Sequence, residues 1–155
     1  MIDKALIVVA KEPVPGQTKT RLSPPLSAES AAAFYRCLLL DSLALMARLE
    51  LADHTIAYTP ASAHGYFARL SPNGFSLVEQ VGANLGERLA NALNQHFDQG
   101  YRQVVIMNSD GPTLPLAYLE EAFSALDRAD VTLGPGHDGG YYLIGMKWPH
   151  RELFE

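Results

Sequence analysis

The sequence predicts an α/β fold, a Rossmann-like three-layer sandwich built on a mostly parallel mixed sheet. Three observations predict it. ALIVVA at 5–10 and QVVIMN at 103–108 are continuously apolar, without the alternation of a half-exposed strand, and so read as strands buried on both faces. Between and after them, stretches of helical and strand character take turns, as a parallel sheet with crossover helices requires. At 155 residues the chain also suits a single domain, since chains of this size bury roughly 70% of the surface they expose when unfolded.

Each element has its own justification. Residues 5–10 are too few for a helix before Pro13 and form the first strand. Ser27 is placed to cap a helix from about 28 to 49, with Glu29 in its first turn and Ala31, Tyr35, Leu38, Ser42, Leu45 and Leu49 at helical spacing. HTIAYT, 54–59, is a β-branched and aromatic run closed by Pro60; a weaker helical stretch around 63–70 and the strand-like FSLVEQ at 75–80 follow. Leu85, Leu89, Leu93 and Phe97 mark one face of a further helix, ended by Gly100. After QVVIMN, Leu116, Leu119, Phe123 and Leu126 make another helix behind Pro115, which suits a first helical position. DVTLG at 130–134 and YYLIGM at 141–146 are two strands around a glycine-rich turn. The order β-α-β-α-β-α-β-α-β-β predicts helices on both faces, with the last strand pair as an antiparallel edge. No internal repeat or linker divides the chain.

Composition narrows the function. Apolar residues make up 48% and charged residues 19%, the balance of a globular domain rather than a disordered chain. No apolar stretch approaches the ~20 residues of a membrane span, and the N-terminus lacks a secretory pattern, so a cytoplasmic protein is expected. The formal charge of −5 argues against nucleic acid as a partner, because that binding needs many cations to neutralise phosphates. The single cysteine, Cys37, falls in an apolar helical pattern and reads as a small buried hydrophobe.

Ligands of an open α/β sheet bind at the carboxyl ends of its strands. Three segments occupy such ends: KEPVPGQTKTRL after the first strand, NSDGPTLP at 108–115, and GPGHDGGYYLIG at 134–145. The first ends like a phosphate-cradling P-loop, but register excludes that. Such a loop needs glycine directly before its lysine and again five positions earlier, where this chain has Thr18 and Pro13. Proline offers no N–H to a phosphate. What is left is a stiff loop with a turn at Gly16, presenting Lys11, Lys19 and Arg21 as side-chain ligands for anions. A solvated surface loop is the plain alternative.

Asp110, at the end of a buried strand and before Gly111-Pro112, could hold Mg²⁺ or Mn²⁺ against substrate phosphates, or simply form a turn. Asp138, in His137-Asp138-Gly139-Gly140, carries the same two readings, since Asp-Gly also marks hairpins. Two carboxylates opposite three cations describe a site for a polyphosphate held by a divalent metal. His137 is placed where a general base could stand. The histidines at 54, 64, 96 and 150 have no metal-ligand spacing and read as structural or solvated.

AKEPVPGQTKTRLSPPLS, GANLGERLANAL, NSDGPTLP and LGPGHDGGYYLIGM, in this order and spacing, resemble the glycosyltransferase-like bacterial proteins called selenodomain-associated transferase 1. These belong to the GT-A superfamily of nucleotide-diphospho-sugar transferases, and the chain is similar also to the guanylyltransferases of deazaflavin- and molybdopterin-cofactor synthesis. The resemblance implies that Lys11, Lys19 and Arg21 hold nucleotide phosphates and that Asn84, Gly86 and Arg88 flank the nucleotide. It implies that Asp110 stands for the metal-binding Asp of the DxD-type motif, and that Asp138, Gly139 and Gly140 line the donor or acceptor pocket. The motif here is Ser109-Asp110-Gly111, so a second metal ligand must come from elsewhere, with Asp138 the candidate. The resemblance also implies further strand and helix material beyond Glu155, with another acidic motif, or a site completed by a partner chain in a homo-oligomer. Three functions stay open at this point. One is transfer from a nucleotide sugar. Another is nucleotidyl transfer from an NTP to a small phosphorylated acceptor, with release of pyrophosphate. The last is nucleotide binding without turnover.

Overall fold

The computed structural model describes residues 2–155. Six strands among them form one sheet: β1 (Lys4–Lys11), β2 (Asp53–Thr59), β3 (Ser76–Glu79), β4 (Gln103–Met107), β5 (Val131–Pro135) and β6 (Tyr141–Met146). Four helices connect them: α1 (Ala28–Met46), α2 (His64–Leu70), α3 (Leu85–Asp98) and α4 (Leu116–Leu126). The strand order is β3-β2-β1-β4-β6-β5. This is an α/β fold on a mixed sheet, as the alternation of elements predicts.

The two central strands are apolar on both faces because both faces are covered. Leu6, Val8 and Ala10 of β1 point into a core with Tyr35, Leu39 and Met46 of α1, Phe67 of α2 and Phe123 of α4. Ala5 and Ile7 point the other way, onto Leu89 and Leu93 of α3. Phe67 and Phe123 are fully buried, each contributing about 1.5–3 kcal/mol relative to an exposed ring. Gly100, with φ of 99°, takes the left-handed residue that ends α3, which a side chain would resist.

The last strand pair forms an antiparallel edge as expected: β6 pairs antiparallel with β4 on one side and β5 on the other, and β5, outermost, runs parallel to β1–β4. The tight turn after β5 sends the chain back, and the free flank of β4 receives the returning strand. Two expectations are corrected. Cys37 is exposed, because α1 buries the stripe of Tyr35, Leu39, Ser42 and Met46, and a residue two positions after Tyr35 lies across the helix from it. Pro115 precedes α4 as its cap, with extended backbone (ψ 138°), rather than forming its first helical residue.

The topology fixes where a ligand can enter. From β1 the chain proceeds to β2 on one side, while β4 lies on the other, so the order reverses between β1 and β4. Crossover connections leave in opposite directions there, opening a crevice above the carboxyl ends of those strands.

Candidate active site

A cavity of about 370 Å³ lies at this reversal, lined from β1 and its loop by Lys11 and Lys19, from β4 and its turn by Asn108, Ser109 and Asp110, and from α3 by Arg88. The volume falls in the range of small-ligand sites.

The first loop is ordered by its own hydrogen bonds. Thr18 is 5% exposed; its hydroxyl donates to the Glu12 carbonyl at 3.1 Å and accepts the Val14 N–H at 3.1 Å. The turn at Gly16 is closed by Gln17 N–H donating to the Val14 carbonyl at 3.1 Å. Lys11 Nζ donates to the Gln17 carbonyl at 2.7 Å, which keeps that ammonium over the loop. Lys19 is the one non-glycine among the described residues with positive φ, at 50°. Side-chain residues take that conformation rarely, and they cluster at ligand sites when they do.

Lys19 Nζ pairs with the Asp110 carboxylate, bridging the loop after β1 to the turn after β4. The same ammonium stands 5.8 Å from the centre of the Tyr35 ring. Tyr35 ties the two loops a second time. Its hydroxyl lies 2.6 Å from Ser109 Oγ and accepts the Lys11 backbone N–H at 3.2 Å. Burial pushes the phenol pKa up; the bonds from Lys11 and Ser109 pull against this, and the charge of Asp110 adds to it. The net shift is upward, so Tyr35 is a neutral donor and acceptor at ordinary pH.

On the third wall, Gln80 donates from Nε2 to the Ala57 carbonyl at 2.7 Å and the Ala10 carbonyl at 3.1 Å, closing the ends of β2 and β1. Arg88 Nε donates to the Gly82 carbonyl at 3.1 Å. Asn84 caps α3, its side chain accepting the Glu87 N–H at 2.9 Å. Gly86 packs against the C-terminal turn, Arg151–Phe154: a Cβ there would stand 2.5 Å from the Phe154 carbonyl oxygen.

Of the residues singled out in the sequence, the cavity gathers Lys11, Lys19, Arg88 and Asp110. Gly16, Arg21, Asn84 and Gly86 are not among its lining residues. Nor are His137, Asp138, Gly139 and Gly140, which occupy the turn between β5 and β6. Asp138 Oδ1 accepts the Gly140 N–H at 3.1 Å within that turn. Sequence reasoning missed Tyr35, Ser109 and Gln80 as parts of the site. Tyr35 carried a signal, since a tyrosine on a core-facing stripe needs a partner for its hydroxyl.

Among the described residues, no group of three or more His, Cys, Asp or Glu side chains is placed to hold a metal. From the end of β4 the cavity receives the Asp110 carboxylate, the Ser109 hydroxyl and the Asn108 amide, and Asp110 is the one carboxylate among its described residues. This hard, sparse set fits Mg²⁺ or Mn²⁺ in the manner of ions that take most of their coordination from water and substrate phosphate.

The family described as an uncharacterized protein conserved in bacteria, DUF2064, matches residues 42–155. The chain belongs to that family. A crystal structure of a protein from Desulfovibrio desulfuricans G20, provisionally named a nucleotide-diphospho-sugar transferase, is 37% identical to this DUF2064 chain. It matches with a TM-score of 0.92, over 100% of this chain and 68% of that one. The 4-diphosphocytidyl-2C-methyl-D-erythritol synthase of Anaerococcus prevotii DSM 20548 matches at 9% identity and a TM-score of 0.61, over 97% of this chain and 70% of that one. A manganese complex of Rv0371c from Mycobacterium tuberculosis H37Rv matches at 17% identity and 0.57, over 97% and 72%. At these last identities the likeness is one of fold. No curated protein matches. Among the described residues no helix is long and apolar enough to cross a membrane.

Proposed function

We propose that this DUF2064 chain is a metal-dependent transferase that binds a nucleotide-activated donor in the cavity between β1 and β4, with a nucleotide-diphospho-sugar as the leading donor. The observation that carries this reading is the Lys19–Asp110 pair at the topological reversal, with Lys11 and Arg88 beside it. Cations and a hard carboxylate at one crevice are what a diphosphate with a divalent ion requires. The resemblance to selenodomain-associated transferase 1 proteins and the provisional name of the Desulfovibrio relative point the same way.

In this reading the donor's phosphates draw the Lys19 ammonium away from Asp110 and so free the carboxylate for the cation. Lys11 and Arg88 complete the positive lining, while the exposed Leu85 at the start of α3 offers apolar surface to the nucleoside. Tyr35 and Ser109 keep the two loops in register. Mg²⁺ or Mn²⁺ on Asp110 would supply charge neutralisation for the departing diphosphate or pyrophosphate. Asp138 lies outside the lining of this cavity, and its Oδ1 accepts the Gly140 N–H within its own turn, so the reading rests on Asp110.

Nucleotidyl transfer is the second reading. It is favoured by the three cations, which suit a triphosphate, and by the cytidylyl chemistry in the name of the Anaerococcus neighbour. Calorimetric titration with UDP-, GDP- and TDP-sugars in Mn²⁺ tests donor binding, and heat from none of them contradicts the leading reading. Pyrophosphate released from GTP or CTP selects the second.

A further inference from the structure

A second cavity of about 300 Å³ adjoins the first and shares Asn108 with it. Its other lining residues are Gly111, Thr113, Leu114, Pro115 and Tyr142. None of the six bears a charge. We propose that this cavity receives the acceptor and that the acceptor is a neutral hydroxylated molecule, not a phosphorylated one; the inference rests on the donor reading above.

The contrast between the cavities carries the argument. The first holds three cationic side chains and one carboxylate, whereas the second presents an amide, two hydroxyls and apolar surface. A phosphate seated in the second would be desolvated without a cation to compensate, which is costly. A hydroxylated ring meets the partners it needs: side-chain donors and acceptors at Asn108, Thr113 and Tyr142, and an aromatic wall for its C–H face.

That wall is built in. A Cβ on Gly134 of β5 would stand 2.5 Å from Cε2 and Cζ of Tyr142, so the bare glycine is what lets the ring lie where it does. Gly134 is buried and Tyr142 half-buried, so the ring has little freedom to move aside. The Tyr142 carbonyl also accepts the Asn108 N–H at 3.1 Å, fixing the wall to the residue common to both cavities.

The test offers matched acceptor pairs, D-glucose with D-glucose 6-phosphate and glycerol with glycerol 3-phosphate, to the chain with Mn²⁺. GDP-mannose, UDP-glucose, TDP-glucose, GTP and CTP serve as donors, and release of nucleoside diphosphate or pyrophosphate is the readout. The neutral member of a pair is expected to accelerate release more than its phosphorylated partner. Thr113→Val and Tyr142→Phe are expected to raise the acceptor KM by about threefold to tenfold, the loss of one hydrogen bond, with donor KM unchanged. Gly134→Ala should do the same by displacing the ring; the exposed Thr113 keeps the test sound if that variant folds poorly. A donor that binds but turns over faster with the phosphorylated member, equally with both, or with neither, overturns the acceptor assignment alone. Failure of every donor to bind removes the donor reading and this inference with it.

Discussion

The Tyr35 hydroxyl lies 2.6 Å from Ser109 Oγ, and through it a core-facing residue of α1 fixes the turn that carries Asp110. Tyr35→Phe would leave the Ser109 hydroxyl and the Lys11 N–H without this partner in a buried position. The expected cost is about 1–3 kcal/mol in urea unfolding. Because the phenol pKa is raised, the cost should be the same at pH 6 and pH 9.

Lys19 and Asp110 predict a separation of function from stability. Their side chains are 31% and 33% exposed, and an ion pair so accessible to solvent contributes no more than about 1 kcal/mol. Lys19→Ala and Asp110→Asn should therefore leave the melting temperature almost unchanged. Nucleotide affinity in Mn²⁺ should fall by about tenfold or more, as expected when Lys19 no longer makes a charge-assisted contact to phosphate or Asp110 no longer holds the ion. Calorimetry beside thermal melts separates the two; a large fall in melting temperature with intact affinity would reverse the assignment.

Much of this was legible in the sequence, and particular residues show why. The apolar runs at 5–10 and 103–108 had one sensible home, the centre of a doubly covered sheet, and that placed Lys19 and Asp110 at neighbouring strand ends. Which flank β6 would join was not legible, because strand pairing is decided by tertiary geometry and not by local pattern. Cys37 misled because α1 is apolar over much of its surface, so its buried stripe could not be told from composition. Gly86 and Asn84 sat in a motif and invited a binding role; one makes room for the C-terminal turn and the other caps a helix. Arg21 belongs to the loop yet is exposed within the short helical turn 20–22 and does not line the cavity.

His96 predicts an acid limb in stability. It is 2% exposed, with Nδ1–H donating to the Ala92 carbonyl at 2.8 Å and Nε2 accepting the Thr55 hydroxyl at 2.9 Å. Burial lowers its pKa, against the opposing bond to Ala92. The unfolded chain takes up this proton near pH 6.5, about the ordinary histidine value, while the folded chain resists it to lower pH. Below about pH 6.5 the unfolded state thus binds more protons, so stability is full above that value and declines towards the lowered folded pKa. His54 shifts in the same direction, mainly by burial. Thermal melts from pH 8 to pH 5 should show the decline, and His96→Gln should flatten it.

Gly86 predicts a loss of stability without loss of binding. A methyl group there would meet the Phe154 carbonyl, so Gly86→Ala must push the turn 151–154 off α3, at a cost of about 1–3 kcal/mol. Nucleotide affinity of the folded variant should stay within about twofold of the unmodified chain, measured below its melting temperature.

The central claim is that the ends of β1 and β4 form one phosphate- and metal-binding crevice. Its most direct measurement is calorimetric titration of the unmodified chain, Lys19→Ala and Asp110→Asn with GDP, first with Mn²⁺ and then with EDTA. The account predicts binding to the unmodified chain that weakens when the metal is removed, weakens with Lys19→Ala under both conditions, and loses its metal dependence with Asp110→Asn. Undiminished, metal-dependent binding by both variants would contradict it.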